Sequence, residues 1–142
     1  MRFTIDASVH INAVNRSEVG STESRALLER LHRHEHSVVL PTLLLVEVAA
    51  AAARALDDAA LGIELAQSIY DLPGQTWAPL DESLAGEAAR LGAEARLRGA
   101  DAVYAAVARR FDTVLVTRDR QQLERLRPLL PTQTPAEALD QL

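Results

Sequence analysis

The sequence predicts an α/β fold in which a central, mostly parallel sheet is flanked by helices on both faces. Short apolar segments that fit strands alternate along the chain with longer segments of helical periodicity. This repeated order favours parallel strands, because the chain has to cross back over the sheet between one strand and the next. No linker, repeat or low-complexity tract divides the 142 residues, so a single domain is expected over residues 1–142.

The first half of the chain is expected to hold two strands and four helices. They are a strand at Arg2 to Ile5, a loop and helix, a helix at Thr22 to His34, a strand at Ser37 to Leu40, a helix at Thr42 to Leu56 and a further helix through about Tyr70. Pro41 can open the helix that follows it, because its missing N–H is no loss in a first helical turn. The apolar run around Glu47 is short and interrupted, so we expect no membrane span.

In the second half, Pro73-Gly74 marks a turn and Gly99 is expected to break a long helix. The predicted elements are a strand at Thr76 to Leu80, helices at Asp81 to Leu97 and Asp101 to Arg110, a strand at Thr113 to Val116, a helix at Asp119 to Leu126, an edge strand at Leu129 to Gln133 and a closing helix at Pro135 to Leu142. The apolar strand before Asp119 is expected to be buried.

The composition narrows the class of function. Without cysteine, the chain has neither a disulfide framework nor a thiolate zinc site, and a reducing cytoplasm is the expected location. A net charge of -5 opposes bulk electrostatic binding of nucleic acid, but all 15 basic residues are arginine, which suits bidentate phosphate contacts. A basic rim around the C-terminal acids is predicted from Arg90, Arg96, Arg98, Arg109, Arg110, Arg118 and Arg120.

Four carboxylates, those of Asp6, Glu47, Asp101 and Asp119, stand at the edges of apolar segments. Asp6 and Asp119 each follow a strand, and the carboxyl ends of neighbouring parallel strands share one edge of a sheet, where ligands bind. Glu47 and Asp101 lie on helices that flank this edge, Glu47 about two turns into its helix. Clustered acids repel one another and resist burial, so a divalent cation that compensates their charge is the first hypothesis.

Each acid also has an ordinary structural interpretation. Asp6, Asp101 and Asp119 stand near predicted helix starts, where aspartate commonly caps free N–H groups. Glu47 lies among apolar residues and has to reach solvent or find a partner. The conjunction of four acids at one end of one sheet is what favours the metal site.

With these four acids and the residues around them, the chain resembles the PIN-domain ribonucleases, and especially the single-domain VapC toxins. The resemblance is carried by residues 5–8 (Ile-Asp-Ala-Ser), 41–48 (Pro-Thr-Leu-Leu-Leu-Val-Glu-Val), 99–106 (Gly-Ala-Asp-Ala-Val-Tyr-Ala-Ala) and 116–119 (Val-Thr-Arg-Asp). It covers nearly the whole chain in order and length. The resemblance implies a PIN-like domain, with the acids at all four expected positions.

The resemblance also implies an activity. Asp6, Glu47, Asp101 and Asp119 would bind magnesium, or manganese in its place, and a metal-activated water would cleave RNA phosphodiester bonds. Such a protein is an endoribonuclease and the toxin of a toxin–antitoxin system. Three further residues are expected to bind substrate or orient the ligands: Ser8, Thr117 and Arg118. For Ser8 and Thr117, helix capping and turn formation are the alternative roles.

The partners follow from the same resemblance: an RNA substrate, a cognate antitoxin protein that covers the acidic pocket, and a second copy of the chain in a homodimer. The helices between Thr22 and Leu56 carry apolar surface that could form part of the groove for the antitoxin, but packing on the sheet is the expected role of most of their residues. The carboxylate site acts on phosphate and reads no base, so DNA stays open as a substrate.

Other functions are compatible with parts of this sequence. A noncatalytic RNA-binding or protein-interaction module of the same fold is the main alternative. A phosphorelay receiver domain relies on a lysine, which this chain lacks, and a haloacid-dehalogenase-like phosphatase needs a second aspartate where Ser8 stands. His32 and His36 have a spacing that metals use on a helix, but a solvated helix end is the expected interpretation.

Overall fold

A computed structural model describes residues 1–142. The strands are β1 (Arg2–Ile5), β2 (Ser37–Pro41), β3 (Gln75–Ala78), β4 (Val114–Val116) and β5 (Thr132–Gln133). The helices are α1 (Ala7–Val14), α2 (Ser21–Arg33), α3 (Leu43–Leu56), α4 (Ala59–Tyr70), α5 (Glu82–Ala95), α6 (Gly99–Phe111), α7 (Arg120–Leu126) and α8 (Pro135–Asp140). The predicted alternation of strands and helices is confirmed.

The five strands form one sheet in the order β3-β2-β1-β4-β5, and every neighbouring pair is parallel. After β1 the chain builds outward through β2 and β3, and then returns to add β4 on the other side of β1. Ile5 is paired with Val116, so β1 and β4 end side by side. The strand order therefore reverses at the centre of the sheet, which is the position that favours a binding site in this class of fold.

Helices cover both faces of the sheet, as predicted. Along β2, alternate side chains point to opposite faces. Leu40 joins the larger apolar cluster, with Leu27 of α2 and Val48 of α3, whereas Val39 joins a second cluster with Val103 of α6. The sheet is thus buried on both sides, which explains the continuous apolar sequences of its central strands.

Two predicted helix boundaries are wrong, and both errors come from single residues. Pro41 ends β2, where it is paired with Ala78 of β3, and helix α3 begins only after Thr42. The predicted interruption near Gly99 is present, but Gly99 itself is the first residue of α6, two residues before the predicted start. The preceding helix, α5, ends at Ala95, and Arg96 after it adopts a left-handed conformation with φ of 53°. Proline and glycine indicate that a helix or strand is interrupted. The surrounding packing decides whether such a residue ends one element or begins the next.

The segments around α1 and α2 also differ in detail from the prediction. Asp6 alone separates β1 from α1, so no loop intervenes there. Helix α2 ends at Arg33, and His36 lies beyond its end, so His32 and His36 do not share a helix face. The edge strand β5 is only two residues long. None of the helices combines the length and the apolar character needed to cross a membrane.

Candidate metal-binding site

Asp6 lies at the centre of the candidate site, between the end of β1 and the start of α1. Its side chain is only 5% exposed. Its Oδ2 accepts hydrogen bonds from Ser8 Oγ at 2.6 Å and from Thr117 Oγ1 at 2.9 Å. Asp6 occupies the N-cap position of α1, but its side chain makes no capping hydrogen bond to that helix. Burial raises the pKa of Asp6 despite the hydroxyl donors.

Asp119 follows β4 and caps helix α7, as its alternative interpretation predicted. Its Oδ1 accepts a hydrogen bond from the backbone N–H of Gln122 at 3.0 Å. The backbone N–H of Asp119 in turn donates to Thr117 Oγ1 at 3.1 Å. Capping engages one carboxylate oxygen, so this role and a place in the acidic site are compatible.

Asp101 and Glu47 reach the site from helices on either side. Asp101 is the third residue of α6, and its Oδ1 accepts a hydrogen bond from Gln122 Nε2 at 2.9 Å. Glu47 lies a little more than one turn into α3, nearer its start than predicted. Its Oε1 accepts a hydrogen bond from Tyr104 OH at 2.6 Å, which supplies the partner that this partly buried glutamate requires.

Asp6, Glu47 and Asp119 all lie close enough to Asp101 for their charges to raise its pKa. Burial is the largest cause that raises the pKa of Asp101, to about 6, and repulsion from the other three carboxylates adds to it, while Arg98 opposes it. Burial also raises the pKa of Glu47, and the charge of Asp6 contributes. Ionisation of these carboxylates next to one another therefore costs free energy. A bound cation would offset that cost.

The donors at the site fit a hard divalent cation. All four are carboxylates, which are the ligands that magnesium and manganese accept, and no thiolate or imidazole competes with them. No group of three acids or histidines is drawn together closely enough to coordinate one ion directly. A cation would therefore draw the carboxylates inward or bind some of them through water, as magnesium commonly does.

The three predicted auxiliary residues occupy different positions. Ser8 and Thr117 both donate to Asp6, and Ser8 Oγ also accepts from the backbone N–H of Arg118 at 3.2 Å. The Arg118 side chain instead reaches the loop between α1 and α2, where it donates to Glu18 Oε1 at 2.5 Å and to the carbonyl of Val19 at 2.7 Å. Its guanidinium group thus ties a loop to the end of β4.

The predicted basic rim is only partly assembled. Arg110 pairs with Glu87 at 2.9 Å on the α5–α6 surface. It stands nine residues after Asp101, or about 13 Å further along helix α6. Arg98, at the start of α6, and Arg120, at the start of α7, adjoin the acids in sequence and are exposed. These two arginines are the better placed to meet a phosphate.

Two polar residues of the site were missed by sequence reasoning. Tyr104 is fully buried and donates to Glu47, and burial with its acidic neighbours raises the pKa of its hydroxyl. Gln122 is also buried, and its side-chain amide contacts both Asp101 and Asp6. The one local signal was a polar residue at Gln122 on the same helical face as buried Leu126, which is too weak to identify a partner.

Comparison with known proteins bears on the fold and the family of the chain. The chain matches no curated protein in sequence. Among solved structures it is similar to PAE2754 from Pyrobaculum aerophilum, with a TM-score of 0.72 and 19% identity over 99% of this chain and 88% of that chain. It is also similar to VapBC2 from Rickettsia felis bound to a promoter DNA fragment, with a TM-score of 0.69 and 14% identity over 94% and 98%. A toxin–antitoxin complex from Klebsiella pneumoniae gives a TM-score of 0.64 and 17% identity over 93% and 96%.

At these identities the structural likeness establishes the fold, and the family is established from sequence. The sequence model of the PIN domain matches residues 3–127, which include all four carboxylates and most of the chain. The chain therefore belongs to the PIN domain family, whose members are typically nucleases.

Proposed function

We propose that this protein is a metal-dependent endoribonuclease and the toxin of a toxin–antitoxin pair. The observation that best supports nuclease activity is that four carboxylates lie near one another beside the ends of β1 and β4. They belong to Asp6, Glu47, Asp101 and Asp119. A partly buried acid whose pKa is raised by three neighbouring carboxylates, as that of Asp101 is, is typical of a functional site. Family membership and the likeness to toxin–antitoxin structures support the rest.

The protein's own groups prepare this site in identifiable ways. Hydrogen bonds reach Oδ2 of Asp6 and Oδ1 of Asp101, so the other oxygen of each carboxylate is left to face a cation. Tyr104 orients Glu47, and the α7 backbone orients Asp119. When bound, magnesium or manganese would activate water and offset negative charge on the scissile phosphate.

The substrate is proposed to be RNA, held by a few arginines and not by a broadly basic surface. The net charge of -5 opposes long-range attraction of a polyanion. Arg98 and Arg120 are exposed next to the acids, and their guanidinium groups suit phosphate oxygens. Binding that depends on so few phosphate contacts is expected to be restricted to particular sites on the RNA.

Cleavage of a structured RNA pool with magnesium, manganese or EDTA tests the activity. Asp101→Asn keeps the size and hydrogen-bonding capacity of the side chain but removes its charge, and we expect it to lower the rate by about 100-fold or more. Asp112→Asn is the matched control. Asp112 is exposed at the other end of α6 in a left-handed conformation that asparagine also adopts, so activity should be retained.

The remaining outcomes of this assay are equally informative. Cutting of equal strength by wild-type protein and Asp101→Asn would contradict the proposed site and indicate a contaminating nuclease. RNA binding without cleavage under every metal condition would favour the noncatalytic PIN-fold module.

An antitoxin is the second partner that we propose, and an apolar groove offers a place for it. The groove has a volume of about 880 Å³ and is lined by residues of α1, α2 and α4 together with the starts of β2 and β3. Helix α2 lies within the segment expected to contribute to an antitoxin groove, whereas α4 lies outside it. Val14 and Leu72 line the groove and are half-exposed, so an apolar segment of a partner could cover them.

Groove variants test this docking site. We expect Val14→Arg and Leu72→Arg to weaken suppression of cleavage by the cognate antitoxin, while cleavage by the free toxin is unchanged. Val19→Arg is the control, because Val19 is exposed but does not line the groove. Full suppression of the groove variants would exclude this surface as the site.

The homodimer implied by the family also belongs to this proposal. Val46 on α3 is 64% exposed and adjoins Glu47, and Ile63 on α4 is similarly exposed. We propose that this apolar surface takes part in the contact between copies. Light scattering of the purified protein should give twice the chain mass, and Val46→Arg should reduce it towards the monomer; a monomeric wild-type protein would overturn the dimer.

A further inference from the structure

Gln122 joins the carboxylates of the candidate site to one another. It lies in α7, and its side chain is only 1% exposed. Its Nε2 lies 2.9 Å from Asp101 Oδ1 and 3.4 Å from Asp6 Oδ2. Because a side-chain amide nitrogen carries two hydrogens, one can be directed to each carboxylate.

The backbone of Gln122 adds a third connection. Its N–H donates to Asp119 Oδ1 at 3.0 Å, which is the capping hydrogen bond of α7. One residue therefore contacts three of the four acids, and its position is set by the helix that Asp119 caps. Movement of α7 would change the geometry of all three contacts together.

The other end of the amide shows that packing alone does not account for this glutamine. Gln122 Oε1 is buried and has no hydrogen-bond partner. A buried carbonyl without a partner loses its hydrogen bonds to water, a loss that an apolar side chain of similar size would avoid. A feature of this kind needs a compensating role, and the two carboxylate contacts of Nε2 provide one.

We propose that Gln122 is a positioning residue, which holds the carboxylates of Asp6 and Asp101 together beside the candidate cation site. This inference rests on the proposed metal-dependent function. A neutral amide donor reduces repulsion between the two carboxylates without adding a positive charge that would compete with the cation. It binds one oxygen of each acid, so these two carboxylates are oriented before the cation arrives.

Measurement of the dissociation constant for Mn²⁺ by calorimetry tests this role without any RNA. Gln122→Met keeps the length of the side chain and removes both donors, and we expect it to weaken Mn²⁺ binding by roughly 10–100-fold, the usual effect of losing a group that orients metal ligands. Gln122→Asn retains the donors on a shorter side chain and should show a smaller loss. Gln121→Met, on the exposed face of the same helix, should bind Mn²⁺ like the wild type.

A structural role alone would lower the melting temperature of Gln122→Met and leave its dissociation constant for Mn²⁺ unchanged, which would overturn the proposal. The side-chain amide of Gln122 in wild-type protein gives a second readout by NMR, whether or not the variants fold. Its protons should exchange with water much more slowly than those of Gln121, with and without Mg²⁺, and equally fast exchange would also overturn it. Absence of Mn²⁺ and Mg²⁺ binding by wild-type protein would instead remove the metal site itself, and the role of Gln122 with it.

Discussion

Asp101 is an acid that the folded protein makes weaker. Burial and the neighbouring carboxylates raise its pKa from 3.8 to about 6. Because the folded state holds the proton more tightly than the unfolded chain, the metal-free protein loses stability as the pH rises from about 4 to about 6. Above this range the loss is complete and constant.

We therefore expect Asp101→Asn to stabilise the metal-free protein at pH 7. The full pKa shift corresponds to about 3 kcal/mol, and partial solvent exposure of Asp101 reduces the expected gain to about 1–2 kcal/mol. Urea denaturation with EDTA at pH 7 and at pH 4 measures it, and the gain should vanish at pH 4. A gain of equal size at both pH values would show that charge repulsion is not its cause.

His10 shows the opposite pH dependence. It is buried in α1, and burial lowers its pKa from 6.5 to about 4. The unfolded chain therefore takes up the proton first as the pH falls, so stability is lost between about 6.5 and 4 and is retained above this range. This shift alone corresponds to about 3 kcal/mol at the acid end.

Replacement of this buried imidazole should flatten the acid side of the stability profile. We expect His10→Leu to lose markedly less stability than wild-type protein when urea denaturation is repeated from pH 7 down to pH 4. His34→Leu is the control, because His34 is exposed at the end of α2. If the stability of His10→Leu falls as steeply towards low pH as that of the wild type, groups other than His10 cause the loss.

At the scale of elements, the contact between α3 and α4 depends on a glycine. A Cβ atom at Gly62 would lie 2.5 Å from the carbonyl oxygen of Ala49 and 3.0 Å from the Cβ of Ala53. The backbones of the two helices therefore approach each other at this point, and any larger residue has to push them apart. This matters for the site because α3 carries Glu47.

Two glycine-to-alanine variants should accordingly have opposite effects. Gly62→Ala is expected to destabilise the protein by about 1–3 kcal/mol, because neither backbone can yield without disturbing its packing. Gly86→Ala, in α5, meets no atom within 4 Å and should stabilise by about 0.5–1 kcal/mol through its higher helix propensity. Thermal unfolding of both variants measures these changes in stability. A stabilised Gly62→Ala would show that α4 shifts freely on α3.

At the scale of the whole molecule, a bound cation would link elements that are far apart in the chain. The candidate ligands come from the ends of β1 and β4 and from α3 and α6. Any ion that binds only this folded arrangement raises the free energy of unfolding, by about 2.7 kcal/mol at one hundred times its dissociation constant. Stability and metal occupancy should therefore change together.

We expect MnCl₂ to raise the melting temperature of wild-type protein in a saturable way, by about 5–10 °C at high occupancy. Asp6→Asn should lose most of this increase, since Asp6 lies between the other acids. Sodium chloride at matched ionic strength controls for screening of the net charge of -5. An equal increase in the wild type, in Asp6→Asn and with sodium chloride would indicate a general salt effect.

Much of the fold was predictable because its signals are local. The helices and strands follow from apolar periodicity, and the parallel sheet follows from their alternation. Asp6 and Asp119 could be placed at one edge because each lies within three residues of the end of a strand, and β1 and β4 are indeed neighbours. Boundaries at Pro41 and Gly99 were wrong because such residues interrupt an element without showing on which side the next one begins.

By itself the sequence determined the fold class, the order of elements and the four acids worth examining. Only the tertiary structure decided how those acids are held. Tyr104 and Glu47 are 57 residues apart, Gln122 and Asp6 are 116 apart, and the Arg118 side chain bonds to a loop about 100 residues earlier. Such contacts leave no local pattern, because they depend on how helices pack against the sheet and not on the periodicity of any one segment.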